Sequence, residues 1–137
     1  MSTAVAERSW CVVVPHHARG ARLARHRLAS ELAPVISADL LADTIAVLAE
    51  LVGNAIRHAK PLPGDVIRVA WRLRRDSEGD RISVRVTDGG DPDRTPTLRP
   101  LELDAVDGRG LRIVDRLAVR WGVEQDGLGQ SVWAELA

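Results

Sequence analysis

The hydrophobic patterning of this chain predicts an α/β two-layer sandwich of the α+β kind, with a mostly antiparallel sheet packed on one face by helices. Three observations predict it. Ile67, Val69, Trp71 and Leu73, then Ile82, Val84 and Val86, alternate with polar residues on either side of a turn-rich cluster at 75–80, the pattern of a half-buried hairpin. Two stretches at helical spacing precede that hairpin, and a third, shorter one follows a long segment without periodicity. The resulting order is strand, helix, helix, strand, strand, loop, helix, strand, strand.

Each element follows from local signals. Residues 1–9 read as a flexible tail, and 10–137 as a single domain. Trp10 to Val14 form a short apolar strand that Pro15 stops, an edge candidate. Ala21, Ala24, Leu28 and Leu32 recur at helical spacing within 18–33, while Arg19, Arg22, Arg25 and His26 make a basic, solvated outer face. Pro34 breaks this helix. Ser37 caps a second one that runs to about Ala59, and its middle is apolar nearly all round, so it is expected to be covered on most sides. Three prolines, Pro92, Pro96 and Pro100, fall in the patternless stretch from Gly89 to Gly108; a loop of that length in a small domain usually has a function. A short helix is expected after Gly110, a strand over 119–124, a turn at 126–129 and a final strand to Ala137.

Composition excludes several classes. The 137 residues suit one domain with a sizeable core. Nineteen Lys and Arg against nineteen Asp and Glu give no net charge, which disfavours a direct nucleic-acid binder, because phosphate neutralisation needs a basic excess. The one cysteine, Cys11, suits a reducing compartment, and no apolar run reaches the roughly 18 residues of a membrane span, so a soluble cytoplasmic protein is expected.

A few polar residues stand in apolar surroundings. Glu50 and Asn54 lie one above the other on the long helix, sharing a stripe with Asp43 and Arg57 and flanked by the small Ala46, Ala49 and Gly53. This is either an ordinary solvent stripe or a base beside an amide oxygen suited to a hard cation such as Mg²⁺. Asp88 continues the inward series Ile82, Val84, Val86. An ionised carboxylate there is costly without a partner. It either starts the turn with Gly89 and Gly90 and bonds a nearby amide, or accepts a hydrogen bond from the exocyclic amine of an adenine. Gly108-Arg109-Gly110-Leu111 opens a helix and is either a plain start or an anion-binding nest. It is not a Rossmann fingerprint, since position 113 is Ile113, and there is no Walker A sequence.

His58 is read as a helix-end histidine satisfied by backbone carbonyls, or else as part of a site. His16 and His17 adjoin a proline turn without further ligands for a metal. Trp71, Trp121 and Trp133 are expected to pack in strands. Ser131 lacks a His-Asp relay and is no hydrolase nucleophile.

In their order, Glu-x-x-x-Asn on a long helix, Asp-x-Gly after an antiparallel strand, a loop, Gly-x-Gly-Leu opening a helix and a last strand after a glycine, these features resemble the ATP-binding fold of gyrase, histidine kinases and MutL, the Bergerat or GHKL fold. The runs at 50–59, 108–115, 120–123 and 132–136 further resemble the actinobacterial anti-sigma factor serine/threonine kinases. The resemblance spans residues 10 to 137.

It implies ATP and Mg²⁺ as cofactors, with Asn54 as the metal ligand, Asp88 and Gly90 at the adenine, and Gly108, Arg109, Gly110 and Leu111 at the triphosphate. His58 and Ser131 would also touch the nucleotide, and residues 91–107 would form a lid. Glu50 would be the base that activates a serine of an anti-anti-sigma (STAS-type) partner. A sigma factor would be the second partner, and a homodimer the expected assembly. The chain departs from the family pattern at Pro92, where many members have a glycine, and at Gly129-Gln130-Ser131, where many have Gly-Lys-Thr or Gly-Thr-Thr. Loss of that lysine implies loss of a phosphate contact. The alternative function is a non-catalytic, nucleotide-dependent binding module.

Overall fold

The computed structural model describes residues 6–90, 109–127 and 129–137. Its elements are β1 (Ala6–Pro15), α1 (Ala18–Leu32), α2 (Ala38–His58), β2 (Val66–Asp76), β3 (Gly79–Asp88), α3 (Arg109–Leu117), β4 (Arg120–Asp126) and β5 (Gly129–Leu136). The five strands form one antiparallel sheet in the order β1-β2-β3-β5-β4, with the helices on one face. The expected architecture is the observed one. Residues 91–107, the expected lid, and Gly108 lie outside the described residues.

Alternation places the core. Ile67, Val69, Trp71 and Leu73 of β2 and Ile82, Val84 and Val86 of β3 face the helices together with Ala134 and Leu136 of β5. Against them pack Ala24, Leu28 and Leu32 of α1, Val47, Leu48, Leu51, Val52 and Ala55 of α2, and Val114 of α3. α2 lies between α1 and α3 and also meets β3 and β5, which explains why its middle is apolar on so many sides. Its ends are where the sequence puts them. The Ser37 Oγ accepts from Leu40 N at 3.2 Å, and Ala59 is the C-cap.

The first nine residues need a correction. β1 begins at Ala6, so residues 6–9 are strand and not tail. They carry no inward apolar alternation, yet each pairs with β2, Ala6 opposite Arg75 through Ser9 opposite Arg72. Backbone hydrogen bonding extends the strand where side-chain burial does not. Glu7 adds an ion pair to Arg72 at 3.1 Å, and Arg8 lies over the Trp10 ring at 4.9 Å. Trp10 stacks on Trp71 with ring centroids 6.2 Å apart and donates through Nε1 to Glu31 of α1 at 3.2 Å. β1 is an edge strand, as expected.

The hairpin turn is tighter than the 75–80 cluster suggested, because Asp76 pairs directly with Gly79. At this end Arg75 bonds Asp80 at 2.7 Å and also reaches the Val35 carbonyl in the connection between α1 and α2. The guanidinium holds the Asp80 carboxyl below its ordinary value, an effect that burial partly offsets. On the other edge, Trp121 of β4 donates through Nε1 to Asp115 of α3 at 2.8 Å.

Candidate functional site

The site is assembled at the C-terminal end of α2. Glu50 and Asn54, both half-buried, stand one turn apart on the same face. Arg57, in the next turn, donates to Asn54 Oδ1 at 3.1 Å. Its guanidinium lies flat over Gly53, where a Cβ would come within 2.8 Å of Nη1. Arg57 is an exposed, flexible side chain that can give way, so this contact does not by itself require glycine in the helix. The bond from Arg57 means that the Asn54 oxygen already serves a cation, the group a hard metal ion would replace.

Beyond α2 the chain is clamped from two sides. Lys60 N donates to Gly90 O at 3.0 Å and Gly89 N donates back to Lys60 O at 2.7 Å, a reciprocal pair that ties the turn after β3 to the end of the helix. The approach is so close that a Cβ on Gly89 would meet Pro61 O at 2.3 Å. From the opposite side His16 Nε2 sits 2.9 Å from both Ala55 O and Ala59 O. Carbonyl oxygens only accept, so Nε2 carries the proton and donates to both. His16 thus serves carbonyls at the end of α2, and His58 is the exposed last residue of that helix. His17 also has a structural task, accepting through Nδ1 from Arg19 N as the N-cap of α1.

Asp88 ends β3 and is only 3% exposed. Its Oδ1 accepts from Gly90 N at 2.7 Å, so the turn-forming bond foreseen for it is present. Gly90 adopts a positive φ of 74°, which a side chain would disfavour. β5 runs alongside so closely that a Cβ on Gly129 would meet Asp88 O at 2.0 Å.

Register decides what stands next to Asp88. The pairing sets Asp88 opposite Gln130 and Thr87 opposite Ser131. Directly opposed residues project from the same face of a sheet. Thr87 and Ser131 join their hydroxyls at 2.7 Å, and both are buried. Ser131 therefore lies on the face away from the helices, and the structure does not bring it to Asp88. Gln130 occupies that place. The signal was in the sequence: Val132, Ala134 and Leu136 alternate inward, and one more step back is Gln130.

Arg109, Gly110 and Leu111 open α3, which packs against α2; the helix begins two residues earlier than expected. The fold thus places Glu50 and Asn54 on one face of the C-terminal half of α2 and ties the turn of Asp88 and Gly90 to the chain just beyond that helix, with α3 packed against α2. A buried carboxylate at the end of β3, a glycine of positive φ two residues on and an amide oxygen already bonded to a guanidinium fit a nucleotide with a metal ion.

Residues 14–136 match the family model described as the histidine kinase-like ATPase domain. The chain belongs to that family. No curated protein matches it. Membership in the histidine kinase-like ATPases implies that the domain binds ATP, and the α+β fold is that of the GHKL superfamily. No helix among the described residues is long and apolar enough to cross a membrane.

Proposed function

We propose that this histidine kinase-like ATPase is a Mg-ATP-dependent serine/threonine kinase of the anti-sigma factor type. It phosphorylates an anti-anti-sigma (STAS-type) protein, sequesters a sigma factor and acts as a cytoplasmic homodimer. The carrying observation is the placement of Glu50 one turn before Asn54 on the helix whose end is bonded to the Asp88 turn. Phosphoryl transfer needs positioning, charge neutralisation and a base, and little else.

Asp88 accepts from the adenine amine, Gly90 admits the base, and the start of α3 at Arg109, Gly110 and Leu111 faces the phosphate chain with backbone amides. Asn54 would hold Mg²⁺, which when bound neutralises phosphate charge. Glu50 takes the proton of a serine hydroxyl as its oxygen attacks the γ-phosphorus and ADP departs. Among the described residues β1 is an edge strand, on which Val13 is 58% exposed, and this supports the homodimer. The balanced charge supports protein partners and not nucleic acid.

The second reading, a binding module without transfer, draws on Arg57, whose guanidinium occupies the Asn54 oxygen. One experiment separates them. Incubation with γ-labelled ATP, Mg²⁺ and a STAS-domain protein is expected to label a serine or threonine, and Glu50→Ala to lower that labelling by about 100-fold or more while ATP still binds. ATP binding without any labelling by the unmodified protein would favour the binding module.

A further inference from the structure

We propose that His16 is a positioning residue of the nucleotide site: its ring locks the peptide between Ala59 and Lys60, and that peptide seats the Asp88 turn. The inference rests on the nucleotide reading of that turn.

One rigid unit transmits the effect. The Ala59–Lys60 peptide is planar and trans, so its carbonyl and its N–H point in opposite directions. The carbonyl oxygen, Ala59 O, accepts from His16 Nε2 at 2.9 Å. On the other side Lys60 N donates to Gly90 O at 3.0 Å, and Gly90 N donates to Asp88 Oδ1 at 2.7 Å. Turning this peptide about its flanking bonds breaks both of its contacts together, so the imidazole on one side sets the aim of the amide on the other. The helix does not do this work. Ala59 is its C-cap, with φ −112° and ψ 158°; its N–H still bonds Ala55 O, but its carbonyl has no partner within α2.

His16 is itself held. Its main-chain N donates to Asp65 O at 2.9 Å, at the far end of the connection that begins at Ala59. Just before it, Pro15 O accepts from His17 N at 2.8 Å, and α1 presses so closely that a Cβ on Gly20 would meet the same oxygen at 1.9 Å. Main chain and ring of one residue therefore grip both ends of the 59–65 connection. The ring also reaches Ala55 O at 2.9 Å, so the grip includes the last turn of α2, which follows directly on Asn54.

Calorimetric titration of ATP into the unmodified protein, His16→Leu, His16→Asn and His16→Gln tests this, with thermal melts showing that each is folded at the temperature used. Leucine has no donor, and the asparagine amide stops at the place of Nδ1, short of both carbonyls. The glutamine amide reaches the place of Nε2. His16→Leu and His16→Asn are expected to bind ATP about threefold to tenfold more weakly, as for one lost hydrogen bond, and His16→Gln to stay within about twofold of the unmodified protein. His16→Asn carries the comparison if His16→Leu does not fold. Exchange of the Lys60 amide proton, followed by nuclear magnetic resonance without nucleotide, is expected to quicken by a similar factor in the first two variants and not in the third. Equal ATP affinity in all these proteins, or the same loss in every variant, would overturn the positioning role and leave the nucleotide site standing. Failure of the unmodified protein to bind ATP at all would overturn both.

Discussion

The two ends of β3 each carry an aspartate, and the fold treats them differently. Asp80, at the hairpin end, meets a guanidinium in an exposed ion pair that also reaches the connection between α1 and α2. Asp88, at the other end, is buried and bonded to a backbone amide two residues on. An exposed pair contributes little to stability and is screened by salt. A buried carboxylate costs free energy unless hydrogen bonds replace its water. The hairpin end fits a purely structural task, and the Asp88 end is the one that the proposed function assigns to a ligand.

The sharpest way to break this contrast is to disturb the backbone beneath Asp88. Gly89→Ala is expected to lose about 2–3 kcal/mol of stability in denaturant unfolding, because its Cβ would drive into the carbonyls of Pro61 and Lys60. Little change would mean that the Asp88 turn is not the rigid body we describe. Asp88→Asn keeps an oxygen for Gly90 N but removes the charge. ATP affinity by calorimetry should fall by about 1–3 kcal/mol with only a small change in melting temperature. A melting temperature that drops while affinity holds would make Asp88 structural, like its counterpart.

Asn54→Ala addresses the neighbouring turn of α2. Its ATP affinity should no longer respond to Mg²⁺, at a cost of about 1–2 kcal/mol at saturating metal; a retained response would move the metal ligand elsewhere. Asp80→Asn should do least. The folded carboxyl lies below its ordinary 3.8, so the stabilisation is present above that value and is lost as pH falls through the depressed one. Melting temperatures near neutrality should barely differ, while between about pH 4 and 2 the variant should lose stability less steeply. Equal acid slopes would remove the ion pair from the ledger.

Much of this was legible along the chain because it rests on local periodicity. The alternation at 67–73 and 82–86 predicted β2 and β3, and Ser37 marked the start of α2 at its cap. Glu50 and Asn54 were visible because helical spacing puts them on one face. What escaped depends on distant partners. Residues 6–9 are strand because β2 offers backbone bonds, and nothing in Ala6 to Ser9 announces it. His16 meets carbonyls 39 and 43 residues away, a contact that no local pattern encodes. Ser131 is an expected nucleotide contact, whereas the strand period counted back from Leu136 puts Gln130, not Ser131, on the same face as Asp88.

The indole of Trp121, bonded to Asp115, gives the molecule an optical reporter. The chain has four tryptophans and neither tyrosine nor phenylalanine, so its near-ultraviolet spectrum belongs to indoles alone. Trp10 and Trp71 report the β1 edge, and Trp121 reports the seating of α3 on β4. With Trp10, Trp71 and Trp133 silenced, the emission of this one ring would follow the helix that opens at Arg109 as nucleotide arrives, in real time and without a label.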